Sequence, residues 1–181
     1  MKLRKGSHDA RGLTFGIVAS KFNKFVTSRL LSECVRALTK AGAQEEAIEV
    51  VRVPGAFEIP LVARQLAQCG RFDAVICLGA VIRGDTPHFE YISREVSRGI
   101  MQVSLDSGVP VVFGVLTTET VAQAIERADP MKMNRGADAA NTAIEMTNVM
   151  RLLHQTGRQK GLAAVAASRR RAGPSTIRRK P

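Results

Sequence analysis

The chain has 181 residues, 45% hydrophobic and 24% charged, a globular balance with room for one domain and one core. Its net charge of +11 points to nucleic acid only until it is located: residues 1–150 hold 18 Lys and Arg against 16 Asp and Glu, whereas residues 151–181 hold nine basic residues and no acid. One Tyr, seven Phe and no Trp argue against a surface that stacks on many bases, and no apolar run nears the roughly 20 residues of a membrane span, so no membrane partner is expected.

Residues 1–12 are polar and without period, an extended N-terminal segment that lacks the apolar stretch of a secretory signal. "TFGIVAS", from Thr14 to Ser20, is a short apolar run between polar residues and predicts a buried strand. From Phe25 to Ala41 the period becomes helical, with Val26, Leu30, Leu31, Val35 and Leu38 at three- and four-residue steps and Gly42 as a C-terminal stop. "IEVVRV" (Ile48 to Val53) is a second strand. Ile59 to Cys69 is a helix with Pro60 in its first turn, where proline is tolerated, and Gly70 at its end. "DAVICLGAVI" is the third strand, ending at Ile82. A longer helix runs from Phe89 to Leu105 and stops at Ser107-Gly108. "PVVFGVLT" (Pro110 to Thr117) is the fourth strand, and Thr120 to Ala128 and Ala137 to His154 are the last helices. The pattern ends after Gly157, so the core domain is expected over 13–157. The basic stretch 158–181 reads as a solvated, disordered tail, with a polyanion-binding arm as the alternative.

Cys34, Cys69 and Cys77 are spaced too widely for a metal knuckle or a redox pair. Each falls in an apolar pattern, so all three are expected as core thiols, and their odd number suits a reducing, cytoplasmic setting.

Strands alternating with helices, with continuous apolar strands, predict a parallel sheet covered on both faces. Four strands make a flavodoxin-like, three-layer α/β sandwich. Such sheets take ligands outside the carboxyl ends of their strands, here Ser20 to Asn23, Pro54 to Glu58, Arg83 to His88, and Thr117-Thr118. At the third of these, Thr86 is expected to cap the next helix and Pro87 to occupy its first position. The amides from Gly84 to His88 then form an anion site suited to phosphate. The Asp85 carboxylate either opposes that anion or points to solvent. His88, the one histidine inside the structured core, suits proton transfer near neutral pH. With three histidines and no clustered carboxylates, no metal site is expected. Glu58, at a helix start, either complements the helix dipole or accepts hydrogen bonds from a polyol. Phe22 either stacks on a planar ring or covers the core edge. No glycine-rich dinucleotide fingerprint, serine elbow or Walker motif is present. The residues themselves therefore reach a parallel α/β protein with a phosphate, a planar or polyol ligand, and one histidine.

At these same places the sequence resembles the lumazine synthases. The resemblance runs from about Gly12 to Leu153 and rests on "FGIVASKFN", "VRVPGAFEIP", "DAVICLGAVIRGDTPHFEYI", "SLDSGVPVVFGVLTTET" and "AIERA", in that family's order and spacing. It implies condensation of 5-amino-6-(D-ribitylamino)uracil with 3,4-dihydroxy-2-butanone 4-phosphate, releasing phosphate and water, with no metal or organic cofactor. It implies that Phe22 stacks on the pyrimidine, that Ala56 and Phe57 with the backbone of Ala80, Val81 and Ile82 hold that ring, and that Glu58 binds ribityl hydroxyls. Gly84, Asp85 and Thr86 would contact phosphate, His88 would transfer protons, and Arg127 would pair with the phosphate. The Phe113 region and Arg127 would come from a neighbouring subunit, making the protein a homo-oligomer with sites at its interfaces. After Ala128 the chain departs from the family pattern: "DPMKMNRG" carries Arg135 where the family has a lysine, which keeps the charge at the ligand but alters its reach. The short connection there implies pentamers gathered into an icosahedral shell. The competing expectation is a catalytically silent shell or flavin- or lumazine-binding protein whose basic tail binds polyanions.

Overall fold

The computed structural model describes residues 1–171, with side chains described through residue 155. Strands β1 (Phe15–Ser20), β2 (Ile48–Val53), β3 (Ala74–Ile82) and β4 (Val111–Thr118) are all parallel and lie in the order β2-β1-β3-β4. Helices α1 (Lys24–Lys40), α2 (Ile59–Gln68), α3 (His88–Ser107), α4 (Val121–Ala128) and α5 (Arg135–Arg171) complete the expected three-layer, flavodoxin-like α/β sandwich. Helix α5 runs past the expected end at His154 through Arg171, so residues 158–171 of the stretch expected as a disordered tail are helical, and residues 172–181 lie outside the described residues. Among the described residues no helix is long and apolar enough to cross a membrane.

The layers follow from the two-residue period of a strand. Phe15, Ile17 and Ala19 of β1, with Ala74, Ile76 and Leu78 of β3, pack against Cys34 and Leu38 of α1 and Ala140, Ala143 and Ile144 of α5. Their sequence neighbours Val18, Val75 and Cys77 face the other way, onto Ile59 and Ala63 of α2 and Val96 and Ile100 of α3. Because both faces are covered there, residues 15–19 of β1 and the whole of β3 carry no polar side chain and read as unbroken runs, whereas the edge strand β2 carries Glu49 and Arg52. A third cluster, of Val26, Leu30, Ala80, Leu116, Ala124 and Ala128, seats α4 and α1 against the carboxyl ends of β3 and β4.

The N-terminal segment has neither helix nor strand and lies along α5. Asn148 donates to the carbonyls of Ser7 and Asp9, both at 3.0 Å. Gly6 sits so close to α5 that a Cβ there would come within 2.2 Å of the Glu145 carbonyl oxygen.

Two local expectations are corrected. Helix α3 starts at His88, one residue later than Thr86 capping would give, with Pro87 at the cap position and no side-chain cap bond. Pro87 already has helical angles (φ −64°, ψ 0°), and its carbonyl accepts the Glu90 amide at 3.1 Å. The ring's fixed φ thus sets the start without help from a hydroxyl. The second correction is Cys69, which is exposed, while Cys34 and Cys77 are buried. The apolar stripe of α2 closes at Ala67, and Cys69 is the first residue past the helix, its thiol donating to the Leu66 carbonyl at 3.1 Å. Burial pushes the Cys34 thiol up to about 12 and the Cys77 thiol up as well. A disulfide reagent at mildly alkaline pH is therefore expected to label Cys69 alone in the native protein, and all three thiols in denaturant. Prompt native labelling of Cys34 or Cys77 would contradict that burial.

Candidate active site

Three strand ends build one cleft. Beyond β1 the pairing with β2 continues into the turns, the Lys21 amide donating to the Val53 carbonyl (2.8 Å) and the Phe22 amide to the Pro54 carbonyl (3.0 Å). This sets Phe22 beside the turn that follows β2. Asn23 comes next, with φ 53° and ψ 46°, in the left-handed region that asparagine tolerates better than most residues. Its side-chain amide donates to the Ala80 carbonyl (2.9 Å), while its own carbonyl accepts the Val26 and Thr27 amides. One residue thus turns the chain, begins α1 and ties Phe22 to the end of β3.

In the second turn the Glu58 carboxylate accepts the Gly55 amide through Oε2 (2.8 Å), which orients the group and leaves Oε1 without a partner among the described residues. The third strand end is pinned by the Arg83 amide, which donates to the Thr118 carbonyl at 2.9 Å. Beyond it Gly84, Asp85 and Thr86 are exposed, and their amides donate to no acceptor among the described residues. The side chains of Asp85, Thr86 and His88 make no hydrogen bond or ion pair to described residues either. A run of open amides leading into a helix N-terminus is an anion site, here with a hydroxyl and an imidazole beside it.

The cleft between these ends has a volume of about 800 Å³. Its lining includes Phe22, Ala56, Phe57, Glu58, Ala80, Val81, Ile82, Gly84, Thr86 and His88, all expected from sequence. It also includes Asn23 and Gly55, which lie in the expected strand-end turns but carried no expected role, and Phe89, Tyr91 and Ile92, which sequence reasoning missed. The signal for Tyr91 and Ile92 lay in helical spacing, since steps of three and four residues put them on the His88 face of α3. For Asn23 it was a polar residue between a strand end and the first turn of a helical pattern. Residues Phe22, Phe57 and Tyr91 are 70%, 58% and 64% exposed. Aromatic faces standing in water around an apolar floor, with a few aimed polar groups, suit a planar polar ligand.

Four expected residues lie elsewhere in the chain. Asp85 is exposed and does not line the cleft. Phe113 and Arg135 line a second depression, of about 470 Å³, between β4, α3 and α5, where Arg135 pairs with Asp138 at 3.0 Å. Arg127 is half-buried on α4, lines neither space, and donates through Nη1 to the Gln123 carbonyl at 3.2 Å. Among the described residues, no three His, Cys, Asp or Glu side chains gather in a way that could hold a metal ion.

A model of the family described as 6,7-dimethyl-8-ribityllumazine synthase matches residues 12–151 of this chain. A 6,7-dimethyl-8-ribityllumazine synthase of Syntrophus aciditrophicus is 62% identical over 142 residues, which is 78% of this chain and 92% of the relative. The family match spans all four strands and every residue of the cleft.

Proposed function

The chain belongs to the 6,7-dimethyl-8-ribityllumazine synthase family, and on that premise we propose how its cleft carries the family's reaction. The protein is a transferase of riboflavin synthesis. It condenses 5-amino-6-(D-ribitylamino)uracil with 3,4-dihydroxy-2-butanone 4-phosphate to 6,7-dimethyl-8-ribityllumazine, and phosphate and water leave.

The pyrimidine stacks on Phe22 and is gripped by Ala56, Phe57 and the backbone of Ala80 to Ile82. Ribityl hydroxyls donate to Glu58, whose Oε1 is open. The phosphate of the second substrate takes the amides of Gly84, Asp85 and Thr86 and the Thr86 hydroxyl, so Asp85 contributes main chain while its carboxylate stays in solvent. This brings the amine of one reactant against the ketone of the other, and proximity supplies much of the acceleration between two groups that already react. His88 is the proton-transfer group, giving a proton to departing water and taking one from carbon as phosphate leaves. The observation that carries this reading is that Phe22 and Glu58 line the same cleft as Gly84, Thr86 and His88.

Phe113, Arg127 and Arg135 complete the site from an adjacent copy. Their position away from the cleft of their own chain supports this, as do the exposed Met101, Leu105 and Phe113 on that side of the sheet. A ring of heterologous contacts satisfies both. The short connection from Asp129 to Asn134 supports a shell of pentamers, in the cytoplasm. Residues 13–157 form the catalytic domain, 1–12 its N-terminal segment, and 158–181 a basic tail suited to polyanions.

The test supplies both substrates to purified protein and follows the fluorescent lumazine, with particle mass from light scattering. Product from shell-sized particles is expected. Assembled protein that binds lumazine without making it would overturn the catalytic assignment, and active pentamers would overturn the shell alone.

A further inference from the structure

We propose that Arg83 is a positioning residue of this condensation: its guanidinium fixes the first turn of α3, and through it the anion loop and His88, without touching ligand. The inference rests on the cleft reading given above.

The start of α3 has little else to hold it. The fully buried residues of the helix, Val96, Ile100 and Val103, all come after its second turn, and between His88 and Glu95 the half-buried Ile92 packs against that core. The loop before it, Gly84 to Thr86, has open amides and side chains without partners among the described residues. Ile92 anchors one face of the helix start, but the loop before it is held by whatever joins its two ends, and Arg83 joins them. Its amide is locked to Thr118 at the end of β4. Its Nη1 donates to the Glu90 carboxylate in the first turn of α3, and its Nε donates to Glu119 just after β4. The guanidinium carbon also lies 4.3 Å above the centre of the Phe89 ring. One planar group thus grips two carboxylates and a ring face from two segments, the start of α3 and the end of β4. Lysine, a point charge on a flexible stem, cannot reproduce that fork.

The same contacts argue against a direct role. Arg83 does not line the cleft, and two carboxylates already neutralise its charge. Ion pairs this exposed contribute little to global stability, so the effect is expected in the geometry of the loop rather than in the fold.

The experiment compares steady-state kinetics of full-length wild type, Arg83→Ala, Arg83→Lys, Glu90→Gln and Glu119→Gln, with inorganic phosphate as a competing probe. Arg83→Ala is expected to raise KM for the butanone phosphate, and the inhibition constant of phosphate, about tenfold, and to lower kcat comparably. KM for the ribitylaminouracil, the thermal midpoint and the particle mass are expected to stay near wild type. Arg83→Lys is expected to recover little. The glutamate variants separate positioning from direct contact. Positioning predicts that Glu90→Gln and Glu119→Gln weaken phosphate binding, whereas a phosphate-binding Arg83 would be freed by them and bind more tightly. Tighter binding overturns the proposal. So do wild-type kinetics in Arg83→Ala, or equal losses for both substrates together with a lower midpoint. If Arg83→Ala fails to assemble, the two glutamate variants carry the same test. An inactive wild type would instead refute the cleft reading on which the proposal rests.

Discussion

Arg127→Ala is expected to lower kcat/KM about a hundredfold, His88→Ala to lower kcat about a hundredfold, and a refolded equal mixture of the two to regain about a quarter of wild-type activity. The first figure follows from charge-assisted hydrogen bonds of about 1.5–3 kcal/mol between guanidinium and phosphate, where each 1.4 kcal/mol is about tenfold. Arg127 uses Nη1 on its own Gln123 carbonyl, and the rest of its fork has no hydrogen-bond partner among the described residues. The loss should appear mainly in KM for the phosphate-bearing substrate. The His88 figure sits at the low end for acid–base catalysis, because proximity of two reactive partners survives the substitution. The mixture separates the architectures. If each site takes His88 from one chain and Arg127 from the next, random assembly makes about one site in four with both residues intact. If both came from one chain, no mixture would recover, and a flat mixing curve would refute the shared site.

Gly136→Ala is expected to cost about 3 kcal/mol or more, a large share of the 5–15 kcal/mol typical of a domain. Gly136 is the second residue of α5, where that helix crosses α1. A Cβ there would lie 2.4 Å from the Leu30 carbonyl oxygen and 3.0 Å from the Leu30 Cα. Both are backbone atoms, so no rotamer change can relieve the clash and the helices must part. Parting them opens the layer in which Cys34 and Leu38 meet Ala140, Ala143 and Ile144. It also strains the helix start, because Asn134 caps α5 at the Ala137 amide (3.2 Å) while its side-chain amide holds Glu33 of α1 (3.2 Å). Denaturant titration at fixed protein concentration checks this through a lower midpoint at unchanged slope. A midpoint within error of wild type would refute so close an approach of α1 and α5.

Much of the fold was legible because its sheet is buried on both faces. Apolar runs then mark the central strands directly, and the expected Thr14 to Ser20 misses β1 by one residue; the edge strand β2, interrupted by Glu49 and Arg52, still falls at the expected Ile48 to Val53. Once the strands were placed, the rule about their carboxyl ends located Phe22, Glu58 and His88 together. What stayed hidden depends on atoms far apart in the chain. The fork of Arg83 reaches acceptors seven and 36 residues away, which no local pattern encodes. Asn23 needed its backbone angles to reveal its part. Cys69 looked like core because an apolar pattern does not announce where its helix ends. The roles proposed for Phe113, Arg127 and Arg135 would depend on a neighbouring copy, which periodicity within one chain could not express.

Three of the bonds that frame the cleft, Lys21 to Val53, Phe22 to Pro54 and Arg83 to Thr118, join main-chain atoms only. Each needs an amide at its donor, which any residue except proline provides. Drift in the side chains of those turns can therefore change what the cleft holds while the scaffold around it is inherited intact. Asn23 is the exception, since its contribution needs both a left-handed backbone and a side-chain donor. A lineage moving toward a new ligand would have freedom at the rim and very little at that one hinge.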